Sequence, residues 1–429
     1  MITKPDIINQ YLWCGYLPPD NFPAWLSECI MPETVGKVYS SQEAANRFDT
    51  LFDALVKLAP SRRHIIPLSG GWDSRAILGA LLERIDSDRI TTVTFGVPGQ
   101  LDYDLGKMVA DSVGIEHHVF DLRSVDFTWD ALRGSVAASP WTYVPDSFFN
   151  SLCRNFLSSS SDTIWSGFLG DPLAGSHLST LPMHPRGQAD VFSSKQRRGK
   201  THTLCSLNFS FRDTLPLPEA SVNLGYDDAL DLGIRQAYAI APIVLPIQKW
   251  ERWGALMGKE KNSAQVIAPF ADSTWAGYWL SAPREVRRGQ KLYLDMLNLK
   301  FPKIFSLPGK TNYGAKWDHG VRPMIRRWSH IVRSQMQRRA PWLRIRSPLM
   351  ANYLDYDEMF RNREDYQKTL AIAFDYLKEN QVVPWLNLDV LWEEHMRRRR
   401  DHGDAFLVLL GLAANLTANP LDGGVGDNS

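Results

Sequence analysis

The residues best suited to do chemistry in this chain form the stretch SGGWDS at positions 69–74. Gly70 and Gly71 have no Cβ, so the backbone can approach a ligand closely or adopt left-handed conformations. A helix following them would aim its first N–H groups at one spot that suits an anion, and Ser69 and Ser74 would add hydroxyl donors. Asp73 would repel phosphate unless a cation lay between them, so the stretch predicts a pyrophosphate-binding loop with a magnesium ligand. The alternative is a tight turn without a ligand.

The sequence around this stretch predicts the elements that would position it. Short apolar runs alternate with helical periodicity. Strands are expected at 64–68, 89–96, 116–122 and 162–168, and helices at 74–85, 102–114 and 146–157. Strand–helix–strand units at this spacing favour an α/β fold with a Rossmann-like parallel sheet and right-handed crossovers. The stretch 69–74 would then lie at the carboxyl edge of the sheet, where open α/β sheets bind ligands.

The rest of the chain divides by composition into four expected regions. Residues 1–60 are helical or extended, and Ser40 with Glu43 resembles a helix start. Residues 61–225 form the α/β core, with a polar, basic insertion at about 180–225 that reads as a surface loop or a mobile lid. Residues 226–416 have mainly helical periodicity, and residues 417–429 read as a disordered tail.

Composition excludes several function classes. The net charge is +1 over 429 residues, which gives no global reason to expect nucleic acid or membrane as a partner. The four cysteines show no CxxC spacing, which argues against a zinc site and favours a reducing, cytoplasmic location. No apolar run approaches the ~18 residues of a membrane span, so residues 405–416 read as a buried helix. The four arginines at 397–400 read as a solvated or carboxylate-paired helix end.

The segment PLSGGWDSRAIL resembles the pyrophosphatase loop of the N-type ATP pyrophosphatases, and most closely the synthetase domain of asparagine synthetase-like enzymes. Later segments are similar to segments of that family in the same order: TFGVPGQLDYDLGKMVADSVGIEHHVF, SGFLGDPLAGS, PFADSTWAGYWLSAPREVRRGQKLYLDML, FPKIFSLPGKTNYG and LWEEHMRRRRDHGDAFLVLLGL. The resemblance spans residues 60–416. It implies an adenine-nucleotide alpha-hydrolase-like topology, completed by a mainly helical C-terminal part.

The resemblance also implies roles for individual residues, with ATP and Mg²⁺ as cofactors. The nucleotide phosphates would be held by Leu68, Ser69, Gly70, Gly71, Asp73 and Ser74. Phe95 and Gly96 would lie near the adenosine, and Gly167 would contact the nucleotide. Asp73 and Asp171 would be the magnesium ligands. Lys310 would stabilise negative charge on the adenylate and in the transition state. The alternatives are a helix N-cap for Asp171 and a surface loop lysine for Lys310.

The chain departs from the family pattern at two positions after the expected fourth strand. The family usually has glutamates where this chain has Phe168 and Pro172. The first of these is the expected base for the incoming amine, so its absence suggests an acceptor or nucleophile other than that of asparagine synthesis. Met1 is not followed by the cysteine of a glutaminase domain. Ammonia or an amine would therefore be taken directly, or ammonia would come from a separate glutaminase subunit.

The expected reaction is ATP-dependent adenylation of a small-molecule or peptide carboxylate, followed by amide formation with release of AMP and pyrophosphate. A peptide or lactam cyclase of the same family is an alternative, as is a non-catalytic nucleotide-binding subunit. Enzymes that use this kind of loop on tRNA are disfavoured, because the sequence offers no obvious basic tract. Trp72, inside the loop, has no assigned role beyond packing.

Overall fold

A computed structural model gives the fold of the protein. It describes residues 4–17, 39–61, 63–138, 140–141, 143–145, 148–149, 162–167, 170–176, 202–208, 265–310, 314, 321–345 and 354–419. Residues 148–149 of the expected helix at 146–157 are helical, and the rest of that helix, nearly all of the expected insertion at 180–225 and residues 420–429 of the expected tail lie outside these ranges. Only a short helix at His202–Leu207 is described within the insertion.

A five-stranded parallel sheet forms the centre of the described structure. Its strands are β1 (Arg63–Pro67), β2 (Ile90–Gly96), β3 (Glu116–Asp121), β4 (Asp162–Trp165) and β5 (Gln265–Ile267). They are ordered β3-β2-β1-β4-β5, and all neighbouring pairs are parallel. The four expected strands and the parallel α/β architecture are confirmed. The fifth strand is three residues long, too short for periodicity to reveal it within a mainly helical region.

Helices surround the sheet and form the rest of the described structure. Before the fourth strand they are α1 (Lys4–Cys14), α2 (Ser41–Lys57), α3 (Trp72–Leu82), α4 (Leu101–Val113) and α5 (Trp129–Ala138). After it come α6 (Gly170–Leu173), α7 (His202–Leu207), α8 (Ser273–Ser281), α9 (Arg284–Arg287), α10 (Lys291–Lys300), α11 (Pro302–Phe305), α12 (Val321–Arg339), α13 (Tyr356–Asn362), α14 (Glu364–Glu379), α15 (Leu388–Met396) and α16 (Gly403–Ala418). None of the described helices combines the length and apolarity that crossing a bilayer would require.

Local signals set several of the helix ends. Ser40 is the N-cap of α2, and its side chain accepts a hydrogen bond from the Glu43 N–H at 3.1 Å, as the sequence predicts. Gly114 ends α4 in the left-handed conformation, with φ of 69°, at the position expected for that helix. The α3 helix begins at Trp72, two residues before its expected start, because Gly71 occupies the N-cap position.

Strands β1, β2 and β4 are mostly buried, whereas the edge strand β3 has no buried residue. Successive residues of a strand point to opposite faces, so Ile65 and Ile66 belong to different clusters. On one face, Ile66 and Trp165 pack with residues of α2, α3, α8 and α10. On the other face, Ile65 and Ile164 meet Val93 in a smaller cluster.

A second large core joins α1 and α5 to the C-terminal helices α13–α16. Its centre is α16, whose residues 405–416 are all buried, as expected for this apolar run. The arginines at 397–400 lie beside it, and the expected carboxylate pairing is confirmed for two of them. Arg397 contacts Glu393 at 2.7 Å, and Arg398 makes a two-point contact with Glu358.

Candidate functional site

The candidate site lies where the direction of the sheet order reverses. From β1 the chain moves through β2 to β3 on one side, and it then returns to place β4 on the other side of β1. The segments that follow β1 and β4 therefore meet at the carboxyl edge of the sheet, which is the usual ligand position in such folds. Residues 68–71 follow β1, and residues 166 and 167 follow β4.

The loop after β1 is held by hydrogen bonds from its own backbone N–H groups. The Ser69 N–H donates to Ser74 Oγ at 3.1 Å, and the Gly71 N–H donates to Ser69 Oγ at 3.1 Å. The Gly70 N–H donates to a carboxylate oxygen of Asp102 at 2.8 Å. These three hydrogen bonds hold the loop in shape and occupy the N–H groups of Ser69, Gly70 and Gly71.

The glycines of the site are required by close packing and not by left-handed backbone. Gly71 is extended, with φ of −77°, and Gly70 is absent from the positive-φ residues of the described backbone. A Cβ on Gly70 would lie 3.1 Å from Lys310 Cβ and 3.1 Å from Asp102 Oδ1. A Cβ on Gly167 would lie 3.0 Å from Asp73 Cβ, and one on Gly170 would lie 2.4 Å from the Asp73 carboxylate. The loops after β1 and β4 are thus in direct contact.

Asp73 is the carboxylate on which the two loops converge. One of its oxygens accepts the Asp171 N–H at 2.9 Å, and the other accepts the Tyr293 hydroxyl at 2.9 Å. Burial, and then the negative charge of Asp171, raise the pKa of Asp73 well above its usual value. A carboxylate under such repulsion is stabilised by a proton or by a cation, and each oxygen keeps a lone pair beyond the one already used.

Asp171 lies in the first turn of α6, inside the helix and not at its N-cap. Its side chain is half-exposed, and its carbonyl oxygen accepts a hydrogen bond from the Gln290 amide at 3.4 Å. The two carboxylates expected to hold magnesium are therefore brought together. Phe168 lies outside the described residues.

Lys310 is tied to the same loop at two points. Its backbone N–H donates to the Gly70 carbonyl at 2.9 Å, and its ammonium contacts Asp102 at 2.6 Å. The ammonium end is accessible, since the side chain is 39% exposed, whereas the Asp102 side chain is 1% exposed. The alternative of an unattached surface lysine does not match this geometry. The sequence did not identify Asp102 as a site residue, although Asp102 lies in the acidic segment LDYDLG that follows the second strand.

Trp72 and Arg75, from the first turn of α3, fix the segment that carries Lys310. The Trp72 ring stacks on Phe305 at 5.6 Å, and a Cβ on Gly309 would lie 2.1 Å from it. Arg75 is fully buried and donates to the carbonyl of Pro308 at 2.6 Å. Burial lowers the pKa of the Arg75 guanidinium to about 10. Trp72 thus packs against the neighbouring helix α11, and it also positions the residues next to Lys310.

The two residues expected near the adenosine lie on the other side of β1 from Gly167. Phe95 and Gly96 end β2, and the Phe95 ring stacks on Phe120 of β3 at 5.2 Å. The Thr94 hydroxyl joins this strand end to the loop by donating to the Leu68 carbonyl at 2.6 Å. The candidate site therefore spans the ends of three adjacent strands.

A second cluster of metal-ligand residue types, Asp357, His395 and Asp401, lies among the C-terminal helices. Several of its candidate ligand atoms already have hydrogen-bond partners inside the protein. His395 Nδ1 accepts the His402 N–H, and its Nε2–H donates to the Asp357 carbonyl. Asp357 accepts the Gly403 N–H, and Asp401 accepts Arg361 at 2.6 Å.

The charge states of this cluster fit a structural role. Burial lowers the pKa of His395 to about 3, and burial together with Asp401 raises the pKa of Asp357 to about 7. The imidazole is therefore neutral, with both ring nitrogens satisfied inside the protein. The cluster holds α13, α15 and the start of α16 together.

Comparison with known proteins gives no independent information about this site. No protein-family model matches the chain, and no curated protein matches its sequence significantly.

Proposed function

We propose that the protein is an ATP-dependent carbon–nitrogen ligase that adenylates a carboxylate and then forms an amide. The observation that carries this proposal is the convergence of Asp73, Asp171 and Lys310 on one crevice at the sheet edge. Two carboxylates next to an accessible ammonium suit a magnesium-bound polyphosphate better than they suit a neutral ligand. The strand order β3-β2-β1-β4-β5 also supports an adenine-nucleotide alpha-hydrolase-like topology.

Asp73 and Asp171 are the residues that would hold Mg²⁺. Oxygen ligands are the ones that magnesium prefers, and the raised pKa of Asp73 indicates a place where added positive charge is favourable. The metal would neutralise charge on the polyphosphate. Tyr293, fully buried, orients the Asp73 carboxylate through its hydroxyl.

The remaining residues have distinct tasks in the proposed reaction. The start of α3, with Ser69 and Ser74, receives the pyrophosphate part of ATP. The substrate carboxylate oxygen attacks the α-phosphorus, the bond to the β-phosphate oxygen breaks, and pyrophosphate leaves. Lys310 stabilises the negative charge that develops on the phosphate being transferred.

Amide formation completes the proposed reaction. The nitrogen of ammonia or of an amine attacks the acyl carbon, AMP leaves, and the nitrogen loses a proton. Leu68 and Gly167, with Phe95 and Gly96 across β1, would form the walls for the nucleoside. The acceptor is a small-molecule or peptide carboxylate, and an intramolecular amine would make the product a lactam or a cyclic peptide.

The test is a search for joint AMP and pyrophosphate release. The purified full chain is incubated with ATP and Mg²⁺ across a panel of acids paired with amines, including peptides that carry both groups. Release of both products with an active pair is expected, and Lys310→Ala should lower it by roughly 100-fold. Lys303→Ala is the matched control, since Lys303 is an exposed lysine on α11 and should leave the rate unchanged.

Two results would contradict the proposal. One is ATP hydrolysis to ADP, which would mean attack at the γ-phosphate. The other is tight ATP binding by calorimetry without AMP release for any pair, which would assign the chain to the non-catalytic nucleotide-binding class.

A further inference from the structure

Helix α12 exposes apolar side chains of the kind that a helix in a globular protein normally buries. Ile325, Trp328, Val332 and Met336 are between 43% and 61% exposed. At about 100° per residue, positions separated by three or four residues lie on one face, so these four form a continuous stripe. Such a stripe ordinarily faces the core. Here it faces outward.

The opposite face of α12 is polar and is the one turned toward the protein. His330, Ser334 and Gln337 repeat at the same helical spacing and are half-buried. On that side, a Cβ on Gly314 would lie 3.7 Å from an Arg326 guanidinium nitrogen. The described residues therefore leave the apolar stripe uncovered.

The turn that follows α12 extends the same surface. Among the described elements, α12 packs extensively only with the short helix Pro341–Leu343. In that turn, Trp342 is 60% exposed and Leu343 is 52% exposed. The helix and the turn together present six large apolar side chains, two of them tryptophans.

The segment that forms this surface is rich in positive charge, and the side chains of Arg326, Arg333, Arg339 and Arg344 are exposed. Residues 321–345 contain seven arginines and neither aspartate nor glutamate. They are Arg322, Arg326, Arg327, Arg333, Arg338, Arg339 and Arg344. The whole chain has a net charge of only +1, so the charge is local and the overall balance conceals it.

We propose that α12 and the turn 341–343 form a docking surface for an anionic lipid bilayer. A helix with exposed tryptophan and aliphatic side chains on one face, and with exposed arginines, is suited to lie in a membrane interface. The apolar side chains enter the boundary between headgroups and acyl chains, and the arginines attract anionic headgroups. Binding of this kind needs no helix that crosses the membrane.

Other partners match the surface less well. A nucleic acid backbone would pair with the arginines but would leave the aliphatic stripe without a partner. A second copy would bring two arginine-rich surfaces face to face, because a two-fold dimer contact uses the same patch on both subunits. Lipid binding at α12 does not depend on the reaction proposed for Lys310.

The test is sedimentation of the full chain with vesicles of phosphatidylcholine, with and without phosphatidylglycerol. Binding is expected only to the anionic vesicles, and it should weaken as salt is raised. Arg333→Gln should lower the partition coefficient roughly fivefold, and Trp328→Glu should abolish sedimentation. Leu299→Glu is the matched control, because Leu299 is 52% exposed on α10 and lies outside the surface. Circular dichroism confirms that each variant is folded.

Three results would overturn the proposal. The first is no sedimentation with anionic vesicles at low salt, or sedimentation that Trp328→Glu leaves unchanged. The second is a wild-type dimer in gel filtration that Trp328→Glu converts to a monomer, which would assign the surface to a second copy. The third is RNA binding that is lost in Arg333→Gln and retained in Trp328→Glu, which would assign it to nucleic acid.

Discussion

At the scale of single residues, Asp102 connects the loop at Gly70 with Lys310, which lies 208 positions after Asp102 in the chain. Its buried carboxylate accepts the Gly70 N–H with one oxygen and the Lys310 ammonium with the other. A buried charge is tolerated when it is fully paired, and charged hydrogen bonds of this kind are the strong ones. Asp102 is therefore a positioning residue for the loop and for the lysine together.

Asp102→Asn is expected to lower AMP and pyrophosphate release by roughly 100-fold, since a small displacement of Lys310 is enough to do so. An asparagine has one acceptor oxygen, so either the Gly70 N–H or the Lys310 ammonium faces an NH₂ group. Product release and urea unfolding measure the effects. Asp104→Asn, at an exposed position two residues later, serves as the control. Unchanged release by Asp102→Asn would show that Lys310 is positioned by other contacts.

His64, inside β1, is a second residue with a measurable consequence. Its Nδ1 accepts the Trp165 indole N–H at 3.0 Å, and burial lowers the pKa of His64 to about 4. The unfolded chain takes up this proton near pH 6.5, whereas the folded chain does so only near pH 4. The stability from neutral His64 is thus present above about pH 6.5 and is lost as the pH falls toward 4.

His64→Asn should reduce this acid sensitivity, because the asparagine oxygen can accept the indole N–H without titrating. Urea unfolding at about pH 7 and about pH 4 should show a stability loss smaller by about 2–3 kcal/mol in the variant. An equal loss in both proteins would mean that His64 does not contribute to acid unfolding.

At the scale of elements, α3 organises the site more than its length suggests. Its N-terminus faces the crevice, and its first turn supplies Trp72 and Arg75, which hold the segment before Lys310. The sequence predicted α3 as the helix after the loop. It could not show what α3 contacts, because residues 305–310 reach it only through the packing of α10 and α11.

The packing of α1 against α16 depends on a glycine. A Cβ on Gly411 would lie 2.1 Å from the Tyr11 hydroxyl and 2.6 Å from Val144 Cγ2. Gly411→Ala should lower the free energy of unfolding by about 1–3 kcal/mol, as overpacking does. Thermal and urea unfolding measure this change.

Gly134→Ala is the matched control for that prediction. Gly134 lies in α5 with open space around its Cα. Alanine there should stabilise the helix by about 0.5–1 kcal/mol. A loss of stability in both variants would indicate a general intolerance of alanine and not a specific contact of α16.

At the scale of the whole molecule, the site is assembled by the order of the strands. Residues following β1, β2 and β4 meet because parallel strands end at one edge, and α10 and α11 bring Tyr293 and Lys310 to that edge. A ligand that bridges Asp73 and Asp171 should therefore stabilise the fold as a unit.

ATP with Mg²⁺ is expected to raise the melting temperature of the wild type, with about 2.7 kcal/mol of stabilisation at ligand concentrations 100 times the Kd. Asp73→Asn should remove the part of this shift that requires Mg²⁺. Without ligand the variant has one acceptor oxygen for the Asp171 N–H and the Tyr293 hydroxyl, so each ligand-induced shift is measured from the ligand-free melting temperature of the same protein. Asp130→Asn, on the exposed side of α5, is the control. Equal shifts in both variants would exclude Asp73 as a metal ligand.

Much of the local structure was predictable from the sequence, for a physical reason. Apolar runs and helical periodicity reflect burial on one side of an element, which the chain encodes over neighbouring residues. The four longer strands and α16 carry this signal. The three-residue β5 does not. The exposed stripe of α12 shows what hydrophobic periodicity alone does not reveal, because the same periodicity would ordinarily predict a face turned to the core.

The sequence by itself determined the glycine loop, its position after a strand, the parallel α/β architecture and the residue types present at the carboxyl edge of the sheet. Only the tertiary structure decided that the Gly70 N–H is taken by Asp102, that Tyr293 orients Asp73, and that the α12 stripe faces outward. These contacts join residues far apart in the chain or depend on which side of an element is covered. Spacing along the sequence constrains neighbours within a few residues, whereas close packing of the folded chain sets the rest.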